Sequence, residues 1–394
     1  SGRVMTPAAR VAAAAEILDV ILGGEPAEKA LTGWARGSRY AGSKDRASVR
    51  DHVFQALRCM RSYAALGGGE DVTGRSLMLG AMRAEGADLA GIFSGEGHAP
   101  APLSEDELAG GRAPEAGAEA CDMPEWLWPA LEAALGEGAA AEASLMRERA
   151  DVFLRVNPLY GTVAEAQAAL AEEGVVSEAH PLSEMALKVL EGARRVRLTH
   201  AFEDGLIELQ DAASQAVVDW LPLEGAMRVL DYCAGGGGKS LAIAARSDAK
   251  IVATDIAPER MKDLPERATR AGASITVTSL EDLSAEDCFD FVLCDAPCSG
   301  SGAWRRSPAG KWQLTEKRLI ELCDTQVDVL KSASHHVSEA GQLAYVTCSL
   351  LRVENEDVVA RFEALAPEWS CTAQQRWLPS AGGDGFFGAI FTRK

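Results

Sequence analysis

The feature that most constrains the fold is a series of short apolar runs that alternate with helical patterns from Met227 onward. In chain order the runs read MRVLDYC, KIVATDI, SITVTSL, FDFVLCDA and GQLAYVTCS. Strands that are separated by helices pair in parallel, because each crossover returns the chain to the same edge of the sheet. The pattern therefore predicts an α/β fold with a doubly wound parallel sheet. In such sheets a ligand binds beyond the carboxyl ends of the strands.

Two different patterns precede the alternating region. Residues 5–140 show helical periodicity without β-branched alternation, beginning with an amphipathic helix that Pro7 opens and Gly23 closes, and they predict an all-helical N-terminal domain. Residues 150–215 give a strand, a turn at Asn157-Pro158, a helix opened by Thr162 and another strand, which predicts a small α+β domain. Residues 216–394 form the sheet domain. The four residues before Met5 look like a cloning remnant and are left out of this division.

Composition places the chain among globular proteins. Its 394 residues suggest two or three domains, and 47% hydrophobic content excludes a disordered or fibrous chain. No apolar run approaches the roughly 18 residues that a membrane span needs, so we expect a cytoplasmic protein without membrane contact. Nine cysteines form no CxxC pair and no spacing that suits zinc, so a reducing compartment and no metal are expected. A monomer is also expected.

The net charge of -19 at first opposes nucleic-acid binding, which usually depends on neutralising phosphates. The charge is uneven, however. Residues 1–66 carry 10 basic and 6 acidic side chains, whereas residues 67–150 carry 5 and 16. The acidity therefore excludes a broadly basic RNA-binding surface but leaves room for local basic contacts.

A glycine run follows the first strand of the sheet domain, in the segment DYCAGGGGKS. Glycines let the backbone approach a ligand closely, and the following helix offers free amides to a carboxylate or phosphate. The segment is not a P-loop, because Cys233 stands where GxxxxGK[ST] needs its first Gly. It also lacks the last Gly of the dinucleotide fingerprint GxGxxG. The residues expected to contact the cofactor here are Cys233, Ala234, Gly235, Gly236, Gly237, Gly238 and Lys239.

Acidic residues recur near the ends of the next strands. Asp255 ends the second strand and suits a ribose diol, Asp282 suits an adenine amino group, and Asp295 ends the fourth strand in the same cleft. With the glycine turn, these carboxylates predict S-adenosylmethionine as the cofactor.

Two cysteines stand at strand ends, in the segments DAPCSG at Cys298 and YVTCS at Cys348. Carbon 5 of cytosine is a poor nucleophile, and addition of a thiolate to carbon 6 activates it for methyl transfer. A second polar group assists loss of the carbon 5 proton. Asp295 could hydrogen-bond the ring edge, and Lys239 could favour the thiolate. Five further cysteines are predicted to be inert packing residues: Cys59, Cys288, Cys294, Cys323 and Cys371.

At these residues the chain resembles the NOP/Sun RNA cytosine-5 methyltransferases. The segments LDYCAGGGGKS, DFVLCDAPCSGSGAWRRSP and YVTCSLLRVENEDVV resemble the family's cofactor, proline-cysteine and threonine-cysteine-serine motifs. AFEDGLIELQDAASQ, RVNPLYGT and DGFFGAIFTRK resemble flanking blocks, so the likeness covers about residues 150–394. It implies a Rossmann-like methyltransferase sheet and a small α+β RNA-recognition domain.

The resemblance also implies roles for the two thiols. Cys348 would attack the base and Cys298 would assist product release. The reverse assignment, with Cys298 as nucleophile, resembles DNA cytosine-5 methyltransferases and stays open. The chain departs from the family at Gly235-Gly236, where Ala-Pro is usual, at Arg352-Val353, where Pro-Glu is common, and at Tyr160, where Lys is common. These departures put substrate preference in doubt, and we expect catalysis to survive them.

Basic and aromatic residues cluster beside the expected active face. Arg binds phosphate and aromatic rings stack on unpaired bases, so Arg305, Arg306 and Trp312 are predicted RNA contacts. Arg194 and Arg195 are equally consistent with a solvated surface. The helical region resembles a NusB-like RNA-binding domain through GSKDRASVRDHVFQALR, within a segment that carries most of the local positive charge.

Together these features predict a cytoplasmic RNA cytosine-5 methyltransferase that acts on 16S ribosomal RNA. Two alternatives remain open: the same chemistry on transfer RNA, and a catalytically silent ribosome-assembly factor that binds RNA. Silence is disfavoured because both cysteines and the glycine turn are present.

Overall fold

The structure is a computed structural model that describes residues 4–394. Residues 1–3 of the expected remnant lie outside the described part. The α-helices are α1 (Pro7–Leu22), α2 (Ala27–Gly37), α3 (Ser43–Arg58), α4 (Met60–Gly67), α5 (Gly74–Glu85), α6 (Leu89–Ile92), α7 (Glu105–Ala109), α8 (Trp128–Leu135), α9 (Ala139–Leu145), α10 (Val163–Glu172), α11 (His200–Glu203), α12 (Ala212–Trp220), α13 (Gly238–Arg246), α14 (Leu264–Ala271), α15 (Ala309–Gln313), α16 (Glu316–Ser334) and α17 (Glu356–Leu365). The strands are β1 (Phe153–Val156), β2 (Val176–Ala179), β3 (Ala186–Glu191), β4 (Ile207–Leu209), β5 (Arg228–Asp231), β6 (Lys250–Ala253), β7 (Ile275–Val277), β8 (Phe289–Asp295), β9 (Val337–Thr347), β10 (Trp369–Trp377) and β11 (Phe386–Arg393).

The chain divides into two compact units, of which the first is helical. It contains the residues up to Glu132, Gly136–Arg149 and Trp304–Gln313. Helix α1 begins as its sequence predicts: Thr6 Oγ1 accepts a hydrogen bond from Ala9 N at 3.1 Å, and Pro7 occupies the first helical position. Its apolar face contributes Val11, Ile17 and Leu18 to a core built with α3 and α5. The predicted helical character of this region is confirmed.

The segment Trp304–Gln313 was expected in the sheet domain, but the structure groups it with the helical unit. The last carbonyls of a helix lack partners within the helix. At the end of α3, Leu57 O accepts from Trp312 Nε1 at 2.7 Å and Arg58 O accepts from the buried Lys311 Nζ at 2.9 Å. These two bonds cap α3, so the segment serves as a helix terminator in the first unit.

The second unit contains Ala133–Leu135, Ala150–Ala303 and Leu314–Lys394. Its smaller sheet has the strand order β2-β3-β1-β4 with antiparallel pairing. Leu154 and Val156 of β1 and Leu170 of α10 lie in its core. Thr162 caps α10 by accepting from Glu165 N at 3.1 Å, as predicted. The strand, turn and helix pattern of the α+β region is therefore confirmed, and its separation as a third domain stays a prediction.

The larger sheet of the second unit has the order β10-β11-β9-β8-β5-β6-β7. The five predicted strands, β5 to β9, pair in parallel, and β11 and β10 add antiparallel pairs at one edge. The predicted doubly wound sheet is thus confirmed. The strand order reverses between β5 and β8, and a crevice opens at such a reversal beyond the carboxyl ends of the strands. The candidate site lies there.

Within residues 4–394, no helix is both long enough and apolar enough to cross a bilayer.

Candidate active site

A cleft of about 510 Å³ lies at the carboxyl ends of β5 and β8. It is lined by the glycine turn and by several of the predicted catalytic side chains. The predicted residues that line it are Cys233, Ala234, Gly235, Gly236, Gly237, Gly238, Lys239, Asp295, Cys298 and Cys348. The structure therefore brings together residues that are up to 115 positions apart in the sequence.

The glycine turn depends on two left-handed residues. Gly235 has φ +53° and Gly237 has φ +83°, both in the region that favours glycine. A Cβ on Gly237 would lie 2.2 Å from Leu264 Cδ1, so the packing of α14 also requires glycine there. Asp255 Oδ2 accepts from Gly235 N at 2.9 Å and fixes the turn from the next strand. The turn leads directly into α13, whose first residues, Gly238 and Lys239, line the cleft.

Buried acids surround the turn. Asp231 is 1% exposed, and burial raises its pKa from 3.8 to about 7. Asp231 Oδ2 accepts from Ser240 Oγ at 2.6 Å, whereas its Oδ1 has no hydrogen-bond partner among the described residues. S-adenosylmethionine carries two cationic groups and a carboxylate. An orphaned carboxylate oxygen, further acids and a helix N-terminus fit such a ligand.

Two other acids predicted to contact the cofactor, Asp255 and Asp282, are not among the described residues that line the cleft, whereas Asp295 is. Asp255 is 1% exposed, and its oxygens accept from Gly235 N and Ala257 N at 2.9 Å each. It therefore holds the backbone of the site, and its ribose contact stays a prediction. Asp282 is exposed and is not among the described residues that line the cleft, so its adenine contact also stays a prediction.

Lys239 and Asp295 form an ion pair inside the cleft. Lys239 Nζ donates to Asp295 Oδ2 at 2.7 Å, and it lies 4.9 Å from the centre of the Phe386 ring. Burial acts to lower the pKa of Lys239, but the Asp295 carboxylate and its hydrogen bond outweigh burial and raise it. The cleft therefore contains a fixed positive charge close to the thiols.

The two candidate catalytic thiols lie together. Cys298 Sγ is 3.5 Å from Cys348 Sγ, within hydrogen-bond distance for sulfur. The hydrogen bond with Cys348, together with burial, raises the pKa of Cys298 well above its usual range. Either sulfur can be the donor in this contact, and the assignment of Cys348 as the attacking thiol stays a prediction.

Sequence reasoning missed several residues of the site. Gln210, Arg260 and Arg318 line the cleft, and Ile256, directly after Asp255, is 85% exposed. The exposure of this large apolar side chain near the glycine turn marks it as a candidate contact residue, and only the structure shows that exposure. Glu354, which lies behind both cysteine loops, was read only as part of the family motif.

The residues predicted to contact RNA differ in how exposed their side chains are. Arg305 is 6% exposed and its carbonyl accepts from Arg58 Nε at 2.6 Å, while Trp312 caps α3. Arg306 is exposed. Arg194 and Arg195 are exposed on a short 3-10 helix. RNA contact by these side chains stays a prediction, and Arg305 and Trp312 have a packing role besides.

The cysteines predicted to be inert are not all buried. Cys59, Cys294 and Cys323 are buried, and burial raises the pKa of each. Cys371 is half-buried, and Cys288 is exposed, so the prediction that it packs inside is wrong. Its segment lies in the loop before β8, where the chain turns over the surface. Within residues 4–394 no group of three or more acidic, Cys or His side chains is arranged to hold a metal ion.

The family model described as 16S rRNA methyltransferase RsmB/F matches residues 218–391. The model described as the RsmF/B-like ferredoxin-like domain matches residues 123–197. The chain belongs to the RsmB/F methyltransferase family.

Relatives of the RsmB/F family support this assignment. The Ribosomal RNA small subunit methyltransferase B of Klebsiella pneumoniae is 32% identical over 285 residues, covering 69% of this chain and 66% of the relative. The protein of the same name from Escherichia coli is also 32% identical with the same coverage. The match thus spans about two thirds of the length of these relatives.

Solved structures share the fold. PH0851 has a TM-score of 0.76 at 22% identity and covers 99% of each chain. NSun6 from Pyrococcus horikoshii, solved with SFG, has a TM-score of 0.58 at 18% identity and covers 68% of this chain and 98% of the other. At these identities the likeness establishes the architecture of both sheets and of the helical region.

Proposed function

We propose that this RsmB/F family member is an S-adenosylmethionine-dependent RNA cytosine-5 methyltransferase that acts on 16S ribosomal RNA. The observation that carries the proposal is the pair of thiols, Cys298 and Cys348, 3.5 Å apart in the cleft that contains the glycine turn. A methyltransferase that acts on nitrogen or oxygen needs no thiol. Methylation of a pyrimidine carbon does, because the ring must first be activated by a nucleophile.

The two sulfurs divide the chemistry. Cys348 Sγ forms a bond to carbon 6 of cytosine, and the ring electrons shift so that carbon 5 can attack an electrophilic methyl group. When bound, S-adenosylmethionine supplies that methyl group. The carbon 5 proton then passes to a solvent water, its bonding electrons re-form the 5,6 double bond, and the bond between Cys348 and carbon 6 breaks so that Cys348 leaves as a thiolate. Cys298 lies near enough to Cys348 to act on the adduct during this last step.

Lys239 and Asp295 complete the polar part of the site. The ammonium group of Lys239 stabilises negative charge that develops on Cys348 and on the ring. Asp295 keeps that ammonium in place through the 2.7 Å hydrogen bond, and its other oxygen remains available for the ring edge of cytosine. The residues that would hold the cofactor are those of the glycine turn, with Asp255 supporting the turn from behind.

Support for the cofactor comes from the chemistry of the cleft and from the fold. The orphaned Asp231 oxygen and the acids around the turn suit a cationic ligand. One neighbour of the same fold was solved with SFG, an analogue of S-adenosylmethionine. Support for the substrate comes from the relatives, whose names specify the small ribosomal subunit.

RNA binding by a chain with net charge -19 requires local contacts. The exposed Arg306, Arg194 and Arg195 are the proposed phosphate partners. Because few phosphates are neutralised, we expect weak nonspecific affinity and a shallow dependence of binding on salt.

A methyl-transfer assay tests the proposed function. Full-length protein is incubated with tritiated S-adenosylmethionine and either unmethylated small-subunit ribosomal RNA or transfer RNA, and products are mapped by bisulfite sequencing. We expect 5-methylcytidine in ribosomal RNA, retained in Cys371→Ser and lost in Cys348→Ser. Label in transfer RNA alone would overturn the substrate, and binding of RNA without label in either would support a silent assembly factor.

A further inference from the structure

A buried carboxylate lies behind the two cysteine loops. Glu354 is 0% exposed and is surrounded by hydrogen-bond donors. Its Oε2 accepts from Ser299 N at 2.8 Å and from Gln326 Nε2 at 2.9 Å. Its Oε1 accepts from Ser299 Oγ and from Ser349 Oγ at 2.5 Å each. Every one of these partners belongs to the second unit.

The two serines are the immediate neighbours of the two thiols. Ser299 follows Cys298, and Ser349 follows Cys348. A single oxygen, Glu354 Oε1, therefore accepts from both loops, and Oε2 adds a bond to the backbone of the first loop. Glu354 Oε1 therefore joins the two loops, alongside the bonds from Leu350 N to Ser301 Oγ at 2.8 Å and from Gly302 N to Cys348 O at 2.9 Å. The two sulfurs on these loops lie 3.5 Å apart.

The neighbouring residue fixes the second loop from another side. Thr347 Oγ1 donates to Asn355 Oδ1 at 2.6 Å, and Asn355 Nδ2 donates to Ser349 O at 2.8 Å. Tyr345 OH donates to Glu354 O at 2.5 Å, so the backbone of Glu354 is itself anchored to β9. The loop that carries Cys348 is thus held on both sides of its sulfur.

We propose that Glu354 is a positioning residue that sets the separation of Cys298 and Cys348 by holding Ser299 and Ser349 on one carboxylate. The inference rests on the proposed function for its kinetic consequence. Its structural part, the spacing of the two thiols, holds whatever the substrate is.

A carboxylate suits this position better than an amide. Ser299 Oγ accepts from Ser301 N at 3.2 Å and Ser349 Oγ accepts from Leu351 N at 3.0 Å, and both hydroxyls also donate to Glu354 Oε1. Two further donors, Ser299 N and Gln326 Nε2, approach the other oxygen. An ionised carboxylate is acceptor-only, whereas glutamine would place two protons among donors. Glu354→Gln therefore keeps the shape of the side chain but replaces one accepting oxygen by an amide nitrogen, so the two hydrogen bonds to that oxygen are lost.

The kinetic experiment compares Glu354→Gln, Ser299→Ala and the control Asp357→Asn. Asp357 is an exposed acid on the first turn of α17, so the control removes the same charge three residues away. In steady-state methyl transfer we expect Glu354→Gln to lower kcat by on the order of 10- to 100-fold, with the KM values for RNA and cofactor within about twofold. We expect a smaller fall for Ser299→Ala, which leaves Ser299 N in place, and none for Asp357→Asn.

A second readout does not depend on methyl transfer. Phenylarsine oxide binds a close pair of thiols by forming two As–S bonds, and its oxygen leaves with both thiol protons as water. In the wild type and in Asp357→Asn, the arsenical should protect Cys298 and Cys348 together from alkylation, as read by peptide mass spectrometry. For Glu354→Gln we expect the concentration of arsenical that protects half of the two thiols from alkylation to be at least fivefold higher.

The outcomes separate the two proposals. Wild-type protein without methyl transfer, but with a Glu354-dependent arsenical response, would overturn the proposed function and keep the spacing role. Normal arsenical protection and normal kcat in Glu354→Gln would overturn the spacing role. If Glu354→Gln is unstable in urea unfolding, Ser299→Ala decides on the same two readouts: changes in both support the inference, and wild-type values contradict it.

Discussion

Lys239 Nζ donates a 2.7 Å hydrogen bond to Asp295 Oδ2 across the carboxyl ends of the sheet. The two residues come from α13 and β8, which are far apart in the sequence. Their pairing puts a cation within the cleft that also contains Cys348, and Cys348 is one of the groups that raise the pKa of Lys239. The ion pair therefore joins the helix that follows the glycine turn to the strand end beside the two cysteines.

Replacement of Lys239 should damage the chemical step. Lys239→Met keeps most of the side chain's volume and removes the charge that stabilises the developing anion. Loss of one such group costs roughly 10²- to 10³-fold in kcat at preorganised sites. Lys250→Met, at the opposite end of the strands, is the control, since Lys250 is exposed. Wild-type kcat for Lys239→Met would show that the ammonium group has no electrostatic part in catalysis.

Stability should depend on pH through Asp231. Burial raises the pKa of Asp231 to about 7, so the folded state retains a proton that the unfolded chain loses near pH 4. The cost of ionising Asp231 therefore grows as the pH rises from about 4 to about 7. Asp231→Asn removes this cost. The unfolding free energy of Asp231→Asn relative to wild type should therefore rise by on the order of 2 to 3 kcal/mol as the pH is raised from 5 to 8.

Urea unfolding at the two pH values measures this difference. The exposed Asp282→Asn serves as the control and should show no comparable change. An equal effect of Asp231→Asn at pH 5 and pH 8 would mean that the carboxyl group does not titrate between them.

The cap on α3 should contribute to stability more than to RNA binding. Trp312→Phe keeps an aromatic ring and loses the hydrogen bond from Nε1 to Leu57 O. A lost bond that leaves a carbonyl without a partner costs about 1 to 3 kcal/mol. Trp126→Phe, on a half-exposed tryptophan of the same unit, is the control. A fall in RNA affinity of Trp312→Phe without a fall in unfolding free energy would instead favour stacking on RNA.

Ile256 should contribute to cofactor affinity. Its side chain is 85% exposed directly after Asp255, and a bound adenosine would cover part of it. Ile256→Ala should raise the KM for S-adenosylmethionine several-fold, since burial contributes about 25 cal/mol per Å² of apolar surface, with kcat nearly unchanged. Met227→Ala, which is exposed before β5, is the control. An unchanged KM for Ile256→Ala would exclude contact with the cofactor.

The parallel sheet was predictable because each of its strands is a short apolar run with a local signal. Strand β11 lies in DGFFGAIFTRK, a segment that was recognised only as a flanking block of the family. Trp312 and Lys311 were assigned to the sheet domain for a different reason. A basic residue beside an aromatic one can contact RNA, cap a helix or do both, and the capping role depends on distant carbonyls of α3 that no local pattern reveals.

The candidate site was predictable where motifs carry it and not elsewhere. Cys298 and Cys348 stand in recognisable segments, and the structure places them in contact. Asp282 was expected from spacing alone and lies exposed. Glu354 has no periodic signal, since a single Glu in a polar segment looks solvated. Its burial follows from hydrogen bonds to residues that are 5 to 55 positions away.

Trapping of the covalent RNA adduct tests the central claim most directly. Wild type, Cys348→Ala and Cys298→Ala are incubated with cofactor and unmethylated small-subunit ribosomal RNA. The amount of protein–RNA complex that survives denaturing gel electrophoresis is then measured. We predict no adduct for Cys348→Ala and an accumulated adduct for Cys298→Ala, because the first forms the bond to carbon 6 and the second assists its release. An adduct that survives Cys348→Ala but not Cys298→Ala would contradict the assignment.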